Sequence, residues 1–308
     1  MNRSRISVLA LAVALAGCAP KKHLTADQYF HEATEDFRSG SLVLAIDQFH
    51  ELLDQYPFSQ YNEEAELKIA HAQYLSGSYL EAVVALTDFQ RRHPTSPNLP
   101  FVGYYLGMCY ARQMGTIDRD QTSAQNAETY FLTVSRQYPD SPFAELARQE
   151  LARCRENLAE HEQYVADFYE RNGNNKAAEI RLLTMASRFG DTDAAADGLL
   201  GLARLYRRGQ RDDNAVLAYQ ALTHLHPTGS QAETARHALS QLADVDPPAT
   251  ADPLDLLLAA NGRQRSTGSF ETVQVPGLEP VRTAHRPSGV GAPAMVPPFD
   301  PYGRGRPY

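Results

Sequence analysis

The sequence lacks the motifs that mark most enzyme sites. It contains no G-x-S-x-G nucleophile turn, no Walker loop and no H-E-x-x-H helix. Its histidines are scattered along the chain, and the close pair His224 and His226 is more typical of a capped or solvated helix end than of a metal site. We therefore predict no catalytic set, no metal site and no cofactor, and a protein that works by binding.

Cysteine is scarce, with only three residues: Cys18, Cys109 and Cys154. Neither Cys109 nor Cys154 belongs to a CxxC pair or a His-rich cluster, which excludes a zinc ligand set. Both cysteines have apolar neighbours in segments predicted to be helical. Two interpretations remain open, a pair of buried thiols and a disulfide bond.

Long apolar runs are absent after residue 18, so no later segment is predicted to span a membrane. The one notable run, Ile6 to Ala16, follows Arg3 and Arg5. With about eleven residues it is too short to cross a bilayer, and it has the form of a secretory signal. Residues 1–17 are therefore predicted to be a signal peptide.

The residues at the end of this run, Leu15-Ala16-Gly17-Cys18, resemble the bacterial lipoprotein signature. That resemblance implies cleavage before Cys18 and acylation of the new N-terminus, which would anchor the protein without a spanning helix. The alternative is an ordinary signal peptide followed by an incidental cysteine. In enterobacterial lipoproteins an Asp after the cysteine keeps the protein in the inner membrane, whereas position 19 here is Ala. The resemblance therefore implies the outer membrane, on the inner leaflet that faces the periplasm.

Basic residues are outnumbered by acidic ones. After removal of residues 1–17 the chain carries 27 basic and 37 acidic side chains, a net charge of −10. Lysine occurs only at positions 21, 22, 68 and 176. This acidic balance disfavours a nucleic-acid partner, because phosphate backbones are bound by basic surfaces.

What the chain does contain is an internal repeat. A small residue is followed by a large apolar residue four positions later and by Pro or Gly eight positions after that. Five copies share this spacing and begin 37, 45, 51 and 37 residues apart: Ala45-Phe49-Pro57, Ala82-Leu86-Pro94, Ala127-Phe131-Pro139, Ala178-Leu182-Gly190 and Ala215-Tyr219-Pro227. The period is close to that of tetratricopeptide repeats with insertions.

The spacing has a physical reason. Residues i and i+4 share one face of a helix, so the small residue allows close approach to the first helix of a pair and the large one fills the space beside it. Gly40, Gly77, Gly173 and Gly209 precede the small residues and mark the breaks between paired helices. No alternating strand pattern occurs. We therefore predict an all-α tetratricopeptide-repeat superhelix, an α-solenoid of about five helix pairs with a concave groove.

The repeat pattern also gives predicted boundaries. A lipidated linker occupies 18–24, repeats one to three occupy 25–140, and a long helix with repeats four and five occupies 141–243. Ser141 and Pro142 begin that helix as cap and first-turn residue, and no Gly or Pro follows before Gly173. The third repeat carries an extra loop at residues 115–121, which is either a tolerated insertion or a functional element.

Residues 244–308 hold 11 of the 19 prolines and seven glycines. Such a composition cannot form a core, so we predict a disordered tail. Residues 255–260 are the exception in composition. They could form a short helix that docks on a partner or on the last repeat.

Several short strings then resemble the BamD family of bacterial outer-membrane lipoproteins, in the same order and over about residues 18–230. They are Tyr56-Pro57-Phe58-Ser59-Gln60-Tyr61, Ala72-Gln73-Tyr74, His93-Pro94-Thr95-Ser96-Pro97-Asn98, Asp118-Arg119-Asp120-Gln121, and Glu162-Gln163-Tyr164-Val165-Ala166 with Tyr169. The resemblance implies an adaptor of the β-barrel assembly machinery. Such an adaptor holds a BamA-type barrel subunit, associates with the other lipoproteins of the complex and receives unfolded outer-membrane proteins.

The resemblance also implies roles for individual residues. Tyr56, Phe58 and Tyr61 match the part of the family that takes up the C-terminal segment of substrates, and Arg181 matches an arginine that pairs with an acidic residue of the barrel subunit. An alternative for Tyr56 and Phe58 is that they plug the junction between repeats. The string Arg188-Phe189-Gly190 and the scarcity of lysine depart from the family and suggest a distant member.

Two other functional classes fit the sequence less well. One is a periplasmic repeat scaffold that coordinates cell-wall synthesis or cell division with the outer membrane. It is disfavoured because the repeats begin almost at Cys18, with no preceding coiled coil. The other is a lipoprotein enzyme, for which residues 244–308 contain too few apolar residues to supply a catalytic domain.

Overall fold

The computed structural model describes residues 24–242 and 252–265, and every regular element in these ranges is a helix. The predicted signal peptide, Cys18 and most of the predicted tail lie outside the described residues. The helices are α1 Ala26–Ser39, α2 Leu42–Gln55, α3 Asn62–Leu75, α4 Tyr79–Arg92, α5 Leu99–Ala111, α6 Thr122–Gln137, α7 Pro142–Arg171, α8 Asn175–Phe189, α9 Asp193–Arg208, α10 Asp212–Leu225, α11 Ser230–Gln241 and α12 Pro253–Ala260. The predicted all-α class is confirmed.

The five repeat signatures lie on the second helix of each pair, which are α2, α4, α6, α8 and α10. The small and the large residue of every signature are buried, as the i, i+4 spacing predicted. Even Tyr219, the most accessible of the ten, is only 6% exposed. The tetratricopeptide-type helix pairs inferred from the spacing are therefore present in the structure.

One of the predicted turn glycines differs from the others. Gly40 has φ +84° and ends α1 in the left-handed region, where a side chain is disfavoured. Gly209 has φ −84°, and the neighbouring Gln210 adopts the left-handed conformation at φ 57°. The helix break was thus predicted correctly, but the strained residue in the fourth turn is Gln210.

The described residues divide into two compact units, one of residues 24–72 and one of residues 73–242 with 252–265. In the first unit, α1 and α2 pack together. Their core is built from aromatic and small side chains: Tyr29, Ala33, Phe37, Ala45, Phe49, Leu52, Ala65, Ile69 and Ala72. This core supports the turn that leads from α2 to α3.

In the second unit, consecutive helices from α4 to α11 pack against each other. First helices of successive pairs also touch, since α5 contacts α7, α7 contacts α9 and α9 contacts α11. These contacts stack the pairs into a repeat array within this unit. The longest element, α7, runs from Pro142 to Arg171 with the Ser141 hydroxyl as its cap, as predicted.

Residues 252–265 depart from the prediction of a disordered tail over 244–308. Here α12 packs on α8 and α10, and Leu254, Leu257 and Leu258 are buried. Within the proline- and glycine-rich tail, these three leucines lie at helical spacing and form an apolar stripe. The stripe is buried by helices that are distant along the chain, so the composition of the tail alone did not predict its docking. The alternative in which residues 255–260 form a short helix that docks on the last repeat is thus confirmed.

A partly buried ionic network fixes the position of α8. Arg155 on α7 donates to Glu128 on α6 at 3.0 Å and to the carbonyl of Arg188 at 2.6 Å, and it also bonds Asp191. Burial raises the pKa of Glu128, although Arg155 opposes the shift. Because the network joins α6, α7 and the end of α8, it ties the third repeat to the fourth.

Cys109 and Cys154 are both free and buried, which confirms the interpretation as two buried thiols over that of a disulfide bond. The Sγ atom of Cys154 lies 3.9 Å from the Sδ atom of Met114. Burial raises the pKa of each thiol to about 12. At neutral pH both are therefore protonated and weak nucleophiles.

Candidate binding surfaces

The Tyr56–Tyr61 string forms the turn between α2 and α3. The Tyr56 N–H donates to the carbonyl of Leu52 at 2.9 Å, and Pro57 directly follows this last helical bond. The Ser59 N–H donates to the carbonyl of Tyr56 at 3.0 Å, and the Ser59 hydroxyl accepts from the Tyr61 N–H at 3.2 Å. The turn is thus held in shape by its own hydrogen bonds.

Both tyrosines of the turn are half-buried and hold the start of α1. The Tyr56 hydroxyl donates to the carbonyl of Leu24 at 2.7 Å, and the Tyr61 hydroxyl donates to Oδ1 of Asp27 at 2.8 Å. The Tyr61 ring also stacks on Phe30, with centroids 4.6 Å apart and planes at 15°. These two predicted binding residues therefore help to shape the surface.

Phe58 lies between them and is 99% exposed. The alternative in which Phe58 plugs a junction between repeats is wrong, because its whole ring faces solvent. A fully exposed aromatic ring on a hydrogen-bonded turn offers a large apolar contact area at little entropic cost. Of the three predicted residues, Phe58 is the one that is free to meet a ligand.

Sequence reasoning missed two further exposed apolar residues in the same unit. Val43 and Leu44, in the first turn of α2, are 71% and 50% exposed. The available signal was the unbroken apolar run Leu42 to Ile46, which is wider than the stripe that one buried helix face needs. Exposed apolar residues beyond the needs of folding are a feature of binding surfaces.

Arg181 lies on α8, and its side chain is 40% exposed. Its Nη1 donates to Oε2 of Glu162 on α7 at 3.3 Å, and the Glu162 side chain is only 11% exposed. Glu162 begins one of the strings that carry the family resemblance. A guanidinium has five N–H donors, so this single contact orients Arg181 and leaves donors for a second acceptor.

Ile180, the neighbour of Arg181, is 41% exposed and was missed by the sequence analysis. The string Ala177 to Leu183 looked like an ordinary apolar helix face, and the sequence alone does not tell which of its residues face solvent. An exposed arginine beside an exposed aliphatic side chain is a common composition at the centre of protein interfaces.

A pocket of about 680 Å³ opens where α7 meets the start of α9, and acidic side chains dominate its lining. Glu156 accepts hydrogen bonds from the N–H groups of Asp193 and Ala194 at 2.9 and 2.8 Å, which caps α9. In the part of the chain that the structure describes, no group of three or more His, Cys, Asp or Glu residues is placed to hold a metal ion.

The extra loop of the third repeat forms part of this pocket through Ile117. The Ile117 carbonyl lies 2.6 Å from Nδ1 of His161 on α7, and the buried Gln121 amide donates to the carbonyls of Thr116 and Arg119. The loop is therefore fixed to α7 and folded on itself.

Comparison with known proteins decides the family. A family model named YfiO, described as an outer membrane lipoprotein, matches residues 22–222 of the chain. The chain belongs to the YfiO family. The protein is therefore associated with the outer membrane. The family resemblance of the short strings is confirmed. Among the described residues, every helix is too short or too polar to cross a membrane.

Several curated relatives of this chain are named outer membrane protein assembly factor BamD. The protein of Vibrio cholerae is 29% identical to this chain over 206 residues, covering 62% of this chain and 85% of the relative. The one of Xylella fastidiosa is 28% identical and covers 71% and 82%. That of Caulobacter vibrioides is 26% identical and covers 70% and 74%.

Solved structures with similar helical repeats were also found. The TPR2AB domain of yeast Sti1, in a complex with pHSP90, shares 16% identity with this chain and has a TM-score of 0.35, and the match covers 76% of this chain and 88% of the Sti1 chain. A kinesin light chain-like repeat protein of Podospora anserina shares 16% identity, with a TM-score of 0.34 and coverage of 72% and 100%.

Proposed function

We propose that this chain is a periplasmic adaptor of the outer-membrane β-barrel assembly machinery. It binds the BamA-type barrel subunit and unfolded outer-membrane proteins and passes the latter on for insertion. The observation that carries the proposal is the family match over residues 22–222, together with relatives that are named assembly factors. Those names favour this role over the scaffold for cell-wall synthesis or division.

The adaptor is anchored through a lipid on Cys18, at the periplasmic face of the outer membrane. Support comes from the signature around Cys18 and from the family description as lipoproteins. Cells fed a labelled fatty acid should label the wild-type chain, and Cys18→Ala should abolish the label because no acylated N-terminus can form. Label that persists in this variant would contradict the anchor.

The barrel subunit binds at the surface formed by Arg181 and Ile180. Glu162 pre-orients the guanidinium, which lowers the entropy lost when an acidic side chain of the partner is bound. The neighbouring Ile180 adds apolar area. The adaptor also associates with the other lipoproteins of the complex, and its function rests on binding and not on catalysis.

A tagged full chain, extracted from membranes in mild detergent, tests this assignment. It should retain the barrel subunit, and Arg181→Glu should lower retention by about tenfold or more, since a charged interfacial contact becomes repulsive. Arg181→Ala removes the contact without bringing a second carboxylate to Glu162. Arg148→Glu is the matched control, because Arg148 is 48% exposed on α7 and, within residues 24–242 and 252–265, its ion-pair partner is Glu145 of the same helix.

Two outcomes of this test have different meanings. If the wild-type chain retains no barrel subunit, the proposed function is wrong. If retention is normal in both Arg181 variants, the function stands and the site lies elsewhere.

Unfolded substrates are taken up beside the Tyr56–Tyr61 turn, where Phe58 provides the contact. The C-terminal segment of an outer-membrane protein is an extended stretch with alternating apolar residues. An exposed ring can pack on one such residue while neighbouring polar groups remain solvated. The two tyrosines act indirectly, since they fix the turn that carries Phe58.

A further inference from the structure

The segment 252–265 is attached to the same helix that carries Arg181. Leu254, Leu257 and Leu258 of α12 are buried against α8 and α10. An eight-residue helix is not stable alone in water, so its conformation depends on this docking. The segment is therefore a built part of the surface around α8.

After α12 the chain continues along α8 and is fixed there by polar contacts. The Ser187 hydroxyl donates to the carbonyl of Gln264 at 3.2 Å, and Nη1 of Arg263 donates to the Thr184 hydroxyl at 2.8 Å. Arg211, which directly precedes α10, donates to the side-chain oxygen of Asn261 at 3.0 Å. Contacts to two helices thus define where Arg263 lies.

Arg263 is placed one helical turn from Arg181. Its hydrogen-bond partner Thr184 follows Arg181 by three residues, and side chains at i and i+3 are neighbours on a helix, with Cβ atoms about 5–6 Å apart. Ile180 lies on the same turn of α8 as Arg181 and is also exposed. Arg263, Arg181 and Ile180 therefore form one surface, which we call the two-arginine surface.

The charges of the segment's two arginines are used differently. Arg265 is neutralised inside the segment, since it pairs with Asp252 at 2.7 Å and with Asp255 at 2.9 Å. Within the described residues, the guanidinium of Arg263 is held by a hydroxyl and not by a carboxylate. A half-buried arginine with uncompensated charge is well suited to bind a carboxylate from another protein.

We infer that Arg263 is a second partner-binding arginine, and that the two-arginine surface binds an acidic stretch of the barrel subunit that carries at least one apolar residue. This inference rests on the proposed function and adds a residue from outside the repeats to its binding site. The segment 252–265 then extends the binding surface. A segment that instead covered the site would compete with the partner.

The retention assay in detergent extract distinguishes these cases. Arg263→Glu should lower retention of the barrel subunit by about fivefold or more, and Arg263→Gln by less. Thr184→Val, which keeps the shape but removes the hydroxyl that holds Arg263, should also lower it. In all three variants retention should fall less steeply with added salt than in the wild type, because one ionic contact is lost.

A variant that detaches the segment 252–265 from the repeats provides an independent test. Leu257→Asp places a charge at a fully buried position and should detach α12, which we expect to weaken retention as Arg263→Glu does. The helical circular-dichroism signal of the repeats should remain close to that of the wild type.

Normal retention in Arg263→Glu would overturn the inference, and so would stronger retention in Leu257→Asp, which would identify the segment as a competitor. If Arg181→Glu weakens retention while the Arg263 variants do not, the inference fails and the proposed function stands. If the wild-type chain itself retains no barrel subunit, both fail.

Discussion

Phe58 and Tyr61 come from one six-residue string, yet their surroundings differ. Tyr61 stacks on Phe30 and bonds Asp27, whereas Phe58 is 99% exposed. Sequence reasoning grouped them because both match the same family motif. Which ring packs inward depends on how the turn meets α1, a contact between residues about 30 positions apart that no local pattern encodes.

Phe58→Ala should lower the affinity for a peptide that ends in the C-terminal strand of an outer-membrane protein by about five- to thirtyfold, the usual effect of removing an aromatic anchor. The melting temperature should not change, because the ring has no buried contacts to lose. Fluorescence anisotropy of a labelled peptide measures the binding.

Phe58→Tyr is the matched control and should retain most of the affinity. Unchanged peptide binding in Phe58→Ala would show that substrates bind at another surface of the chain, such as the one that includes Val43 and Leu44.

At the scale of helices, the repeat pattern predicted most of what the structure contains. Five second helices were located from one small and one large residue each, because a buried helix face repeats every three to four residues. The docking of α12 could not be predicted from such a pattern. Its three leucines occupy only eight residues, and they are buried by helices about 30 to 80 positions away.

Close packing of α5 on α6 depends on residues with no side chain. A Cβ atom added to Gly107 would lie 2.6 Å from Cε1 of Phe131, the large residue of the third repeat signature. Gly107→Ala should therefore lower the free energy of unfolding by about 1–3 kcal/mol, the usual cost of overpacking a core.

Gly201→Ala on α9 is the matched control. Nothing lies within 4 Å of a Cβ atom at that position, so this change should raise the free energy of unfolding by up to about 1 kcal/mol through helix propensity. Urea denaturation measures both variants, and a Gly107→Ala protein as stable as the wild type would contradict the packing described here.

For the whole molecule, the sequence predicted an all-helical repeat protein of the outer membrane. The structure confirms the all-helical fold, and the family match confirms the association with the outer membrane. Its binding surfaces were harder to predict. Arg181 was predicted from the family resemblance. The proposed role of Ile180 depends on its exposure, and that of Arg263 depends on the docking of the segment 252–265, and neither feature can be read from the sequence. Surface function depends on which side chains remain uncovered after folding, and periodicity describes only those that are covered.

The central claim is that this chain serves the assembly of outer-membrane β-barrels. Its most direct test is to place the native copy under a repressible promoter and to measure folded barrel proteins in the outer-membrane fraction as the chain is depleted, using their heat-modifiable migration. The account predicts that folded barrels fall severalfold while an unrelated outer-membrane lipoprotein stays constant. Unchanged levels of folded barrels, once the chain is no longer detectable, would contradict it.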